Sequence, residues 1–333
     1  MLDVLIVGQG IAGTMMGFSC LKKGLSFKII DNPKGPNASL AAAALVEPLS
    51  GKRWALSYEA QKFIPVAKQL YQDLEKFLSC SFMSAYPTYR FICNTDQQTF
   101  YYKRKKNPLF HSYLGSYHQQ INSPIKNHLG AVTINQSFSI NSPLLLQASR
   151  NFFDANKLIS NEDFDYNAVK IQKASITYGK TEAKNLVFCQ GAGLQKNPFF
   201  NFLEFRLAKG ETLALSLPKV ETLSNLSFEK WLIPAQAGLF YYGSTYDWEP
   251  FSFNSTSQNK KTLLLYLERY LSCSYKVLDQ RWGIRCYTPQ SRPLCMQHPT
   301  YKQMFVLGAL GSKGFMSAPF LAEQLSTLLN KTT

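Results

Sequence analysis

The spacing that could do chemistry lies at the start of the chain, in Gly8-Gln9-Gly10-Ile11-Ala12-Gly13 and in Asp31 beyond it. The glycines follow Asp3-Val4-Leu5-Ile6-Val7, which reads as a strand, and lead into Thr14 to Lys23, an apolar stretch compatible with a helix. In that arrangement Gly8 allows the tight turn, Gly10 lets the backbone approach a pyrophosphate, and Gly13 permits close packing of helix on strand. Free N–H groups, Ile11 and Ala12 among the residues carrying them, and the positive end of the helix dipole then face the phosphates. Phe27-Lys28-Ile29-Ile30 reads as a second strand. Asp31, about twenty residues past the glycines, stands where a carboxylate accepts hydrogen bonds from both ribose hydroxyls. An acid at that strand end argues against a 2′-phosphate, so the expected ligand is FAD or NAD rather than NADP.

The elements that must hold such a site have ample material. The chain has 333 residues, 45% hydrophobic and 14% aromatic, enough for two domains with large cores. No apolar run nears the ~20 residues that span a membrane. With a fingerprint beginning at residue 3, no signal peptide is expected. Seven cysteines, odd in number and without a Cys-x-x-Cys pair, suit reduced thiols, and the expected location is the cytoplasm. Lys and Arg number 36 against 21 acids, a formal charge of +15 that favours a polyanionic partner such as RNA. The densest cluster, Lys103-Arg104-Lys105-Lys106, follows Tyr101 and Tyr102, a combination that can meet phosphates and stack on bases; the plain alternative is a solvated loop of lysines.

Along the chain, Asn32-Pro33-Lys34-Gly35-Pro36 is rich in turn formers. The small residues of Asn37-Ala38-Ser39-Leu40 and Ala41 to Ala44, followed by Leu45, let the backbone lie close to something flat. Residues 55 to 79 carry helical periodicity through Leu56, Ala60, Phe63, Ala67, Leu70, Leu74 and Leu78. Tyr86 to Gln136 suggests an inserted antiparallel domain. His111, His118 and His128 fall there without the spacing or accompanying acids of a metal site, and none is expected. Asn141 or Ser142 caps a helix with Pro143 in its first turn. Asn185 to Gln190 forms a buried strand ending in Gly191-Ala192-Gly193, a second backbone approach to the ligand. Beyond it the pattern predicts a turn at Lys209-Gly210-Glu211, strands from Thr212 to Leu217 and from Leu239 to Asp247, and a helix from Leu263 to Leu271. Near the end, Met304-Phe305-Val306-Leu307-Gly308 runs into Ala309-Leu310-Gly311-Ser312-Lys313-Gly314-Phe315 and a helix to Leu329. This repeats the strand, glycine turn and helix, and can aim a second dipole at the pyrimidine end of a reduced flavin.

With these motifs in place the chain resembles the FAD-dependent D-amino-acid oxidase and glycine oxidase superfamily over nearly its whole length. The resemblance runs through the amino-terminal fingerprint, the Ala-Ser and alanine-rich segment, the strand ending Gly191-Ala192-Gly193, the Gly283-Ile284-Arg285 element and the carboxy-terminal glycine turn. Within it, Gly308 to Gly314, Ser317-Ala318-Pro319, and Ala44-Leu45 with Pro48-Leu49-Ser50 are most similar to the oxidoreductase domain of the bifunctional tRNA 5-methylaminomethyl-uridine (MnmC) enzymes. Those enzymes also carry a methyltransferase domain, so methylation here is expected to need a separate protein.

The resemblance implies an α/β chain, α+β overall. It comprises a discontinuous Rossmann-like FAD-binding domain of glutathione-reductase type (1–50, 137–205 and 284–333) interleaved with an antiparallel-sheet substrate domain (51–136 and 206–283). The implied FAD contacts are Gly8, Gly10, Ile11, Ala12, Gly13, Asp31, Ser39, Ala43, Ala44, Leu45, Gly191, Ala192, Gly311, Ser312, Lys313, Gly314 and Phe315. Sarcosine oxidases with covalent FAD carry a cysteine before a Tyr-Thr pair. Arg285 takes that place and Cys286 is one residue off, so noncovalent FAD is expected. The implied reaction removes hydride from a carbon beside an amine nitrogen to flavin N5, followed by hydrolysis of the imine. Arg285 is the candidate carboxylate clamp and Tyr246 a phenolic donor to the same carboxylate. The alternatives are a structural salt bridge for Arg285 and a packed aromatic for Tyr246. Two substrate classes remain, the carboxymethylaminomethyl-uridine of tRNA and free glycine, sarcosine or D-amino acids. A noncatalytic flavin-binding protein is a third reading.

Overall fold

The computed structural model describes residues 1–34, 37–126, 129–220, 223–236 and 238–331. Its helices are α1 (Ile11–Lys23), α2 (Ala38–Ala41), α3 (Ala60–Leu78), α4 (Thr95–Lys105), α5 (Ser142–Ala155), α6 (Ser257–Tyr270) and α7 (Gly314–Lys331). They surround two large sheets, one of eight strands and one of nine.

At the centre of the first sheet, β1 (Leu2–Val7) lies parallel between β2 (Phe27–Asp31) and the strand Thr181–Phe188. Val4 to Val7 are buried, as an apolar run covered on both faces should be. Ile159–Asn161 extends the sheet beside β2, and Met304–Gly308 lies parallel to the end of Thr181–Phe188. Both glycine turns therefore leave the carboxyl ends of parallel strands that flank Thr181–Phe188, where α/β sheets bind ligands. Helix α1 is buried from Ile11 through Cys20 and ends at Gly24, whose left-handed φ of 69° returns its N–H to the carbonyls of Cys20 and Leu21. Its cover comes from α3, α5 and α7, which share one apolar core with it through Phe63, Ala67, Phe153, Ala318 and Ala322. Helix α3, within residues 51–136, thus packs on the nucleotide sheet's helices, and the Tyr71 hydroxyl donates to the Phe315 carbonyl at 2.8 Å.

The second sheet is mainly antiparallel and is centred on the strand Arg206–Ser216, which pairs along its length with Lys276–Tyr287 and on its other side with Leu239–Gly243. This corrects the expected turn at Lys209-Gly210-Glu211, because these residues are the interior of a continuous strand. Lys209 and Glu211 are 1% and 0% exposed and neutralise each other at 2.8 Å. Lys209 Nζ also donates to Ser252 Oγ and the Asn254 carbonyl. The Glu211 carboxylate accepts from the N–H and hydroxyl of Thr256, from Asn259 Nδ2 and from Gln280 Nε2. A buried ion pair so fully hydrogen-bonded is tolerated where an unpaired charge would not be.

Other boundaries also move. Helix α3 begins at Ala60 rather than 55, since Ala55–Leu56 pairs with Leu49–Ser50 in a short hairpin. Gly51 and Trp54 turn it with φ of 65° and 53°, and the buried Trp54 ring stacks under the Arg90 guanidinium, 5.0 Å from its centroid. The strand expected over Leu239 to Asp247 stops at Gly243, and Asp247–Trp248 pairs separately with Ala208–Lys209. Helix α6 starts at Ser257, capped by Thr256 Oγ1, which accepts from the Asn259 N–H at 3.2 Å. The Lys103-Lys106 cluster is not a loop but the last turn and cap of α4, where cations oppose the negative end of the helix dipole. Tyr101 is 2% exposed and belongs to a core, so of the two tyrosines only Tyr102, half exposed, faces solvent.

His118 Nε2 lies 2.8 Å from Thr133 Oγ1 and His111 Nε2 lies 3.1 Å from the Lys105 carbonyl, while His128, like Gly35 and Pro36, lies outside the described residues. Among the described residues no helix is long and apolar enough to cross a membrane.

Candidate active site

A cavity of about 460 Å³ opens at the carboxyl ends of the parallel strands. Gly8, Gly10, Ile11 and Ala12 form one wall. Gly8 has φ of 98°, and a Cβ there would stand 2.6 Å from the Cys189 carbonyl, so a side chain is excluded twice over. Gly13 lies behind the wall, where a Cβ would overlap the Gly8 carbonyl, which is the close helix-to-strand packing expected of it. Gly10 caps α1 without any side-chain hydrogen bond of its own. The Ile11 N–H donates to Ser39 Oγ at 3.0 Å, tying α2 to the first turn of α1. Gly191 and Ala192 line another wall, and Gly311, Ser312, Gly314 and Phe315 a third, at the start of α7. Two helix N-termini thus reach one cavity, a suitable cradle for a dinucleotide's charge.

Asp31 lines the cavity, but it is not waiting free. Its Oδ1 accepts from the Gln9 N–H at 2.8 Å and its Oδ2 from Arg150 Nη1 at 2.7 Å. Arg150, on α5, also donates to Gln9 Oε1 at 2.8 Å and to Asn161 Oδ1. The carboxylate is therefore held in orientation, with further lone pairs able to meet ribose hydroxyls. Sequence reasoning missed Arg150 because nothing local distinguishes an arginine in an amphipathic helix more than a hundred residues from its partner.

A second cavity, of about 270 Å³, adjoins the first; Ala38, Ala42, Arg285, Ser312 and Phe315 line both. Ala43, Ala44, Leu45 and Lys313, expected at the flavin, line this one. The Arg285 guanidinium lies across Gly210, where a Cβ would overlap both of its terminal nitrogens. Its Nη2 donates to Ser244 Oγ at 2.9 Å, while Nη1 is buried without a hydrogen-bond partner. Tyr246 also lines the cavity, 47% exposed, with its ring 5.5 Å from the Arg285 guanidinium carbon. Burial raises its hydroxyl pKa, with Tyr287 adding to the rise, so Tyr246 is a neutral donor at ordinary pH.

The charges around this cavity were not anticipated. Lys313 lies 3.8 Å from Glu47; burial lowers the pKa of its ammonium, Glu47 raises it and Arg90 lowers it further. Lys230 donates to the Ser244 carbonyl at 2.7 Å; burial lowers its pKa, Glu229 opposes, and Lys52 and Arg285 add to the lowering. The exposed Gly51 lines the cavity and marks its mouth. Two residues on, the Arg53 carbonyl accepts from Arg104 Nη2 at 3.3 Å, so the basic end of α4 adjoins that mouth. Lys103, Lys105 and Lys106 are exposed there.

Comparison with known proteins agrees with this geometry. The family model described as DAO, FAD dependent oxidoreductase, matches residues 3–328. Curated relatives from two serovars of Leptospira interrogans, both named tRNA 5-methylaminomethyl-2-thiouridine biosynthesis bifunctional protein MnmC, are 23% identical over 98% of this chain. The chain spans 57% of the length of those relatives. Among solved structures, glycine oxidase from Bacillus cereus ATCC 14579 superposes with a TM-score of 0.84 at 17% identity, covering 100% of this chain and 96% of that one. Iminodiacetate oxidase from Chelativorans sp. BNC1 gives 0.81 at 16%, covering 97% and 94%.

Proposed function

The chain belongs to the DAO family of FAD-dependent oxidoreductases, and from that premise we propose that it oxidises the C–N bond of a secondary amine bearing a carboxymethyl group, its favoured substrate being 5-carboxymethylaminomethyl-uridine in tRNA. FAD, when bound noncovalently, supplies the hydride acceptor. The protein's part is placement. The walls at Gly8 to Ala12, Gly191-Ala192 and Gly311 to Phe315, with Asp31 at the ribose and Ser39 to Leu45 along the ring system, would hold the dinucleotide. The Arg285 guanidinium would take the substrate carboxylate at the junction of the two cavities, Tyr246 adding a phenolic donor. Held there, the carbon between carboxylate and nitrogen comes next to the flavin cavity, and the gain is mainly orientation. That carbon would give up its hydride to the acceptor, and water would hydrolyse the resulting imine to the primary amine and glyoxylate, in which the carboxymethyl carbons leave.

The observation that carries this reading is Arg285 itself: a guanidinium lining both cavities, with one nitrogen buried and unmatched. The tRNA substrate is favoured by the +15 charge, by the basic end of α4 beside the mouth and by the likeness to the MnmC proteins. A second reading, an oxidase or dehydrogenase of free glycine, sarcosine or D-amino acids, is favoured by the 270 Å³ of the second cavity and by the glycine and iminodiacetate oxidases that share the fold. Anaerobic reduction of the flavin by hypomodified bulk tRNA, set against these amino acids, decides between them. Reduction by tRNA at low concentration is expected, and reduction by a free amino acid alone refutes the tRNA substrate.

A further inference from the structure

Glu47 is the one acidic side chain among the described residues that line the second cavity. Its side chain is 12% exposed and stands between two cations, Arg90 Nη1 and Lys313 Nζ, each 3.8 Å from one of its oxygens. Those separations set both cations beside the carboxylate but exceed hydrogen-bond reach. Arg90 directs its nitrogens instead to the carbonyls of Leu49 and Gly51, at 3.4 and 2.5 Å. Oε2 of Glu47 is buried without a hydrogen-bond partner. An unmet charged acceptor in a wall is costly unless a ligand completes it.

The same cavity holds the converse group. Arg285 Nη1 is a buried donor with no acceptor. A ligand that satisfies both must carry an anion and an N–H or O–H donor within one small framework. A carboxymethyl amine does, and a plain carboxylate or ether does not.

We propose that Glu47 is a specificity-determining residue that accepts a hydrogen bond from the amine nitrogen of the donor while Arg285 holds its carboxylate. The inference rests on the amine-oxidation reading. Arg90 and Lys313 flank the Glu47 carboxylate, and Arg90 also fastens the hairpin that carries Gly51 at the mouth. A site built to hydrogen-bond an N–H rejects analogues lacking it, because the buried carboxylate is then left unpaired. Both substrate classes, tRNA-borne and free, contain that nitrogen, so Glu47 serves either.

The test uses the flavin-loaded protein and a matched pair of ligands, iminodiacetate and oxydiacetate, which differ by NH against O. Affinities are measured by calorimetry or by anaerobic flavin absorbance for the wild type, Glu47→Gln, Glu47→Asp and Arg285→Lys, with flavin content and melting temperature recorded for each. The wild type is expected to prefer the amine by roughly 10- to 100-fold, the scale of a hydrogen bond to a charged group. Glu47→Gln should lose most of that preference, while Arg285→Lys weakens both ligands alike. A wild-type preference retained in Glu47→Gln, with flavin still bound, overturns the proposal and leaves amine oxidation standing. If Glu47→Gln fails to fold, Glu47→Asp decides, since it keeps the charge and shortens the reach; an unchanged preference there also overturns it. Failure of the wild type to bind either ligand, or equal binding of both, refutes the role of Glu47, and the former counts against amine oxidation too.

Discussion

Replacing Gly210 by alanine should separate the clamp from the cofactor. A methyl group on this strand residue overlaps both terminal nitrogens of Arg285, the far end of a flexible side chain, so the guanidinium yields before the strand does. The register of Gly210 with Gly283 and of Ala208 with Arg285 is backbone pairing and survives the change. Lys209 and Glu211 project from the opposite face, and their network is untouched. What is lost is the 2.9 Å bond from Nη2 to Ser244 Oγ and the direction of the unmatched Nη1. Each hydrogen bond from a guanidinium to a carboxylate contributes roughly 1.5–3 kcal/mol, so misdirecting one prong should raise the dissociation constant of a carboxylate ligand about 10- to 100-fold. The assay pairs iminodiacetate titration with flavin content. Full flavin occupancy and weakened ligand binding are expected. Unchanged binding would refute the clamp, and loss of flavin would show that Gly210 supports the fold rather than the guanidinium.

Other perturbations follow from the same contacts. Asp31→Ala should weaken FAD binding by about 1–3 kcal/mol, read from the concentration dependence of flavin release. It should leave Arg150 without its ion-pair partner though still bonded to Gln9 and Asn161, and Arg150→Met should weaken FAD less. Replacing Lys103, Arg104, Lys105 and Lys106 by Ser should flatten the dependence of log K on log salt for tRNA, with flavin content unchanged; an unaltered slope removes the α4 terminus from the interface. The Glu211 carboxyl is raised by burial but lowered more by Lys209, Asn259, Thr256 and Gln280, so its folded pKa lies below 4.5. A depressed carboxyl stabilises the fold above its unfolded pKa and loses that contribution as pH falls through the folded value. Glu211→Gln should therefore melt lower at neutral pH and show a shallower decline below about pH 4.5.

The nucleotide end of the molecule was legible because its signals are local. Gly8, Gly10 and Gly13 after an apolar strand, Asp31 at the next strand end, and Gly311 to Gly314 before α7 each act through backbone that a short window contains. Charged residues were misread where the fold satisfies them at a distance. Lys209-Gly210-Glu211 has the composition of a turn, yet its acceptors and donors come from residues 252 to 280. Helix α4 was hidden because it buries only Gln97 and Tyr101 and so has no apolar stripe to recognise. Glu47, Arg90, Arg150 and Lys230 became site residues only through pairings of elements distant in sequence.

The burial of α1 on all sides bears on how the protein is made. During synthesis the fingerprint and α1 emerge long before α7, residues 314–331, which is part of the cover of α1 and supplies the third wall of the nucleotide cradle. Until those residues leave the ribosome, the nascent chain exposes the apolar surface from Ile11 to Cys20 and has no complete place for a cofactor. Contacts spanning some three hundred residues close slowly, and uncovered apolar surface invites aggregation in the interval. Cofactor capture is accordingly a late event in maturation, and chains truncated before α7 should accumulate with chaperones or in inclusion bodies rather than as a smaller flavoprotein.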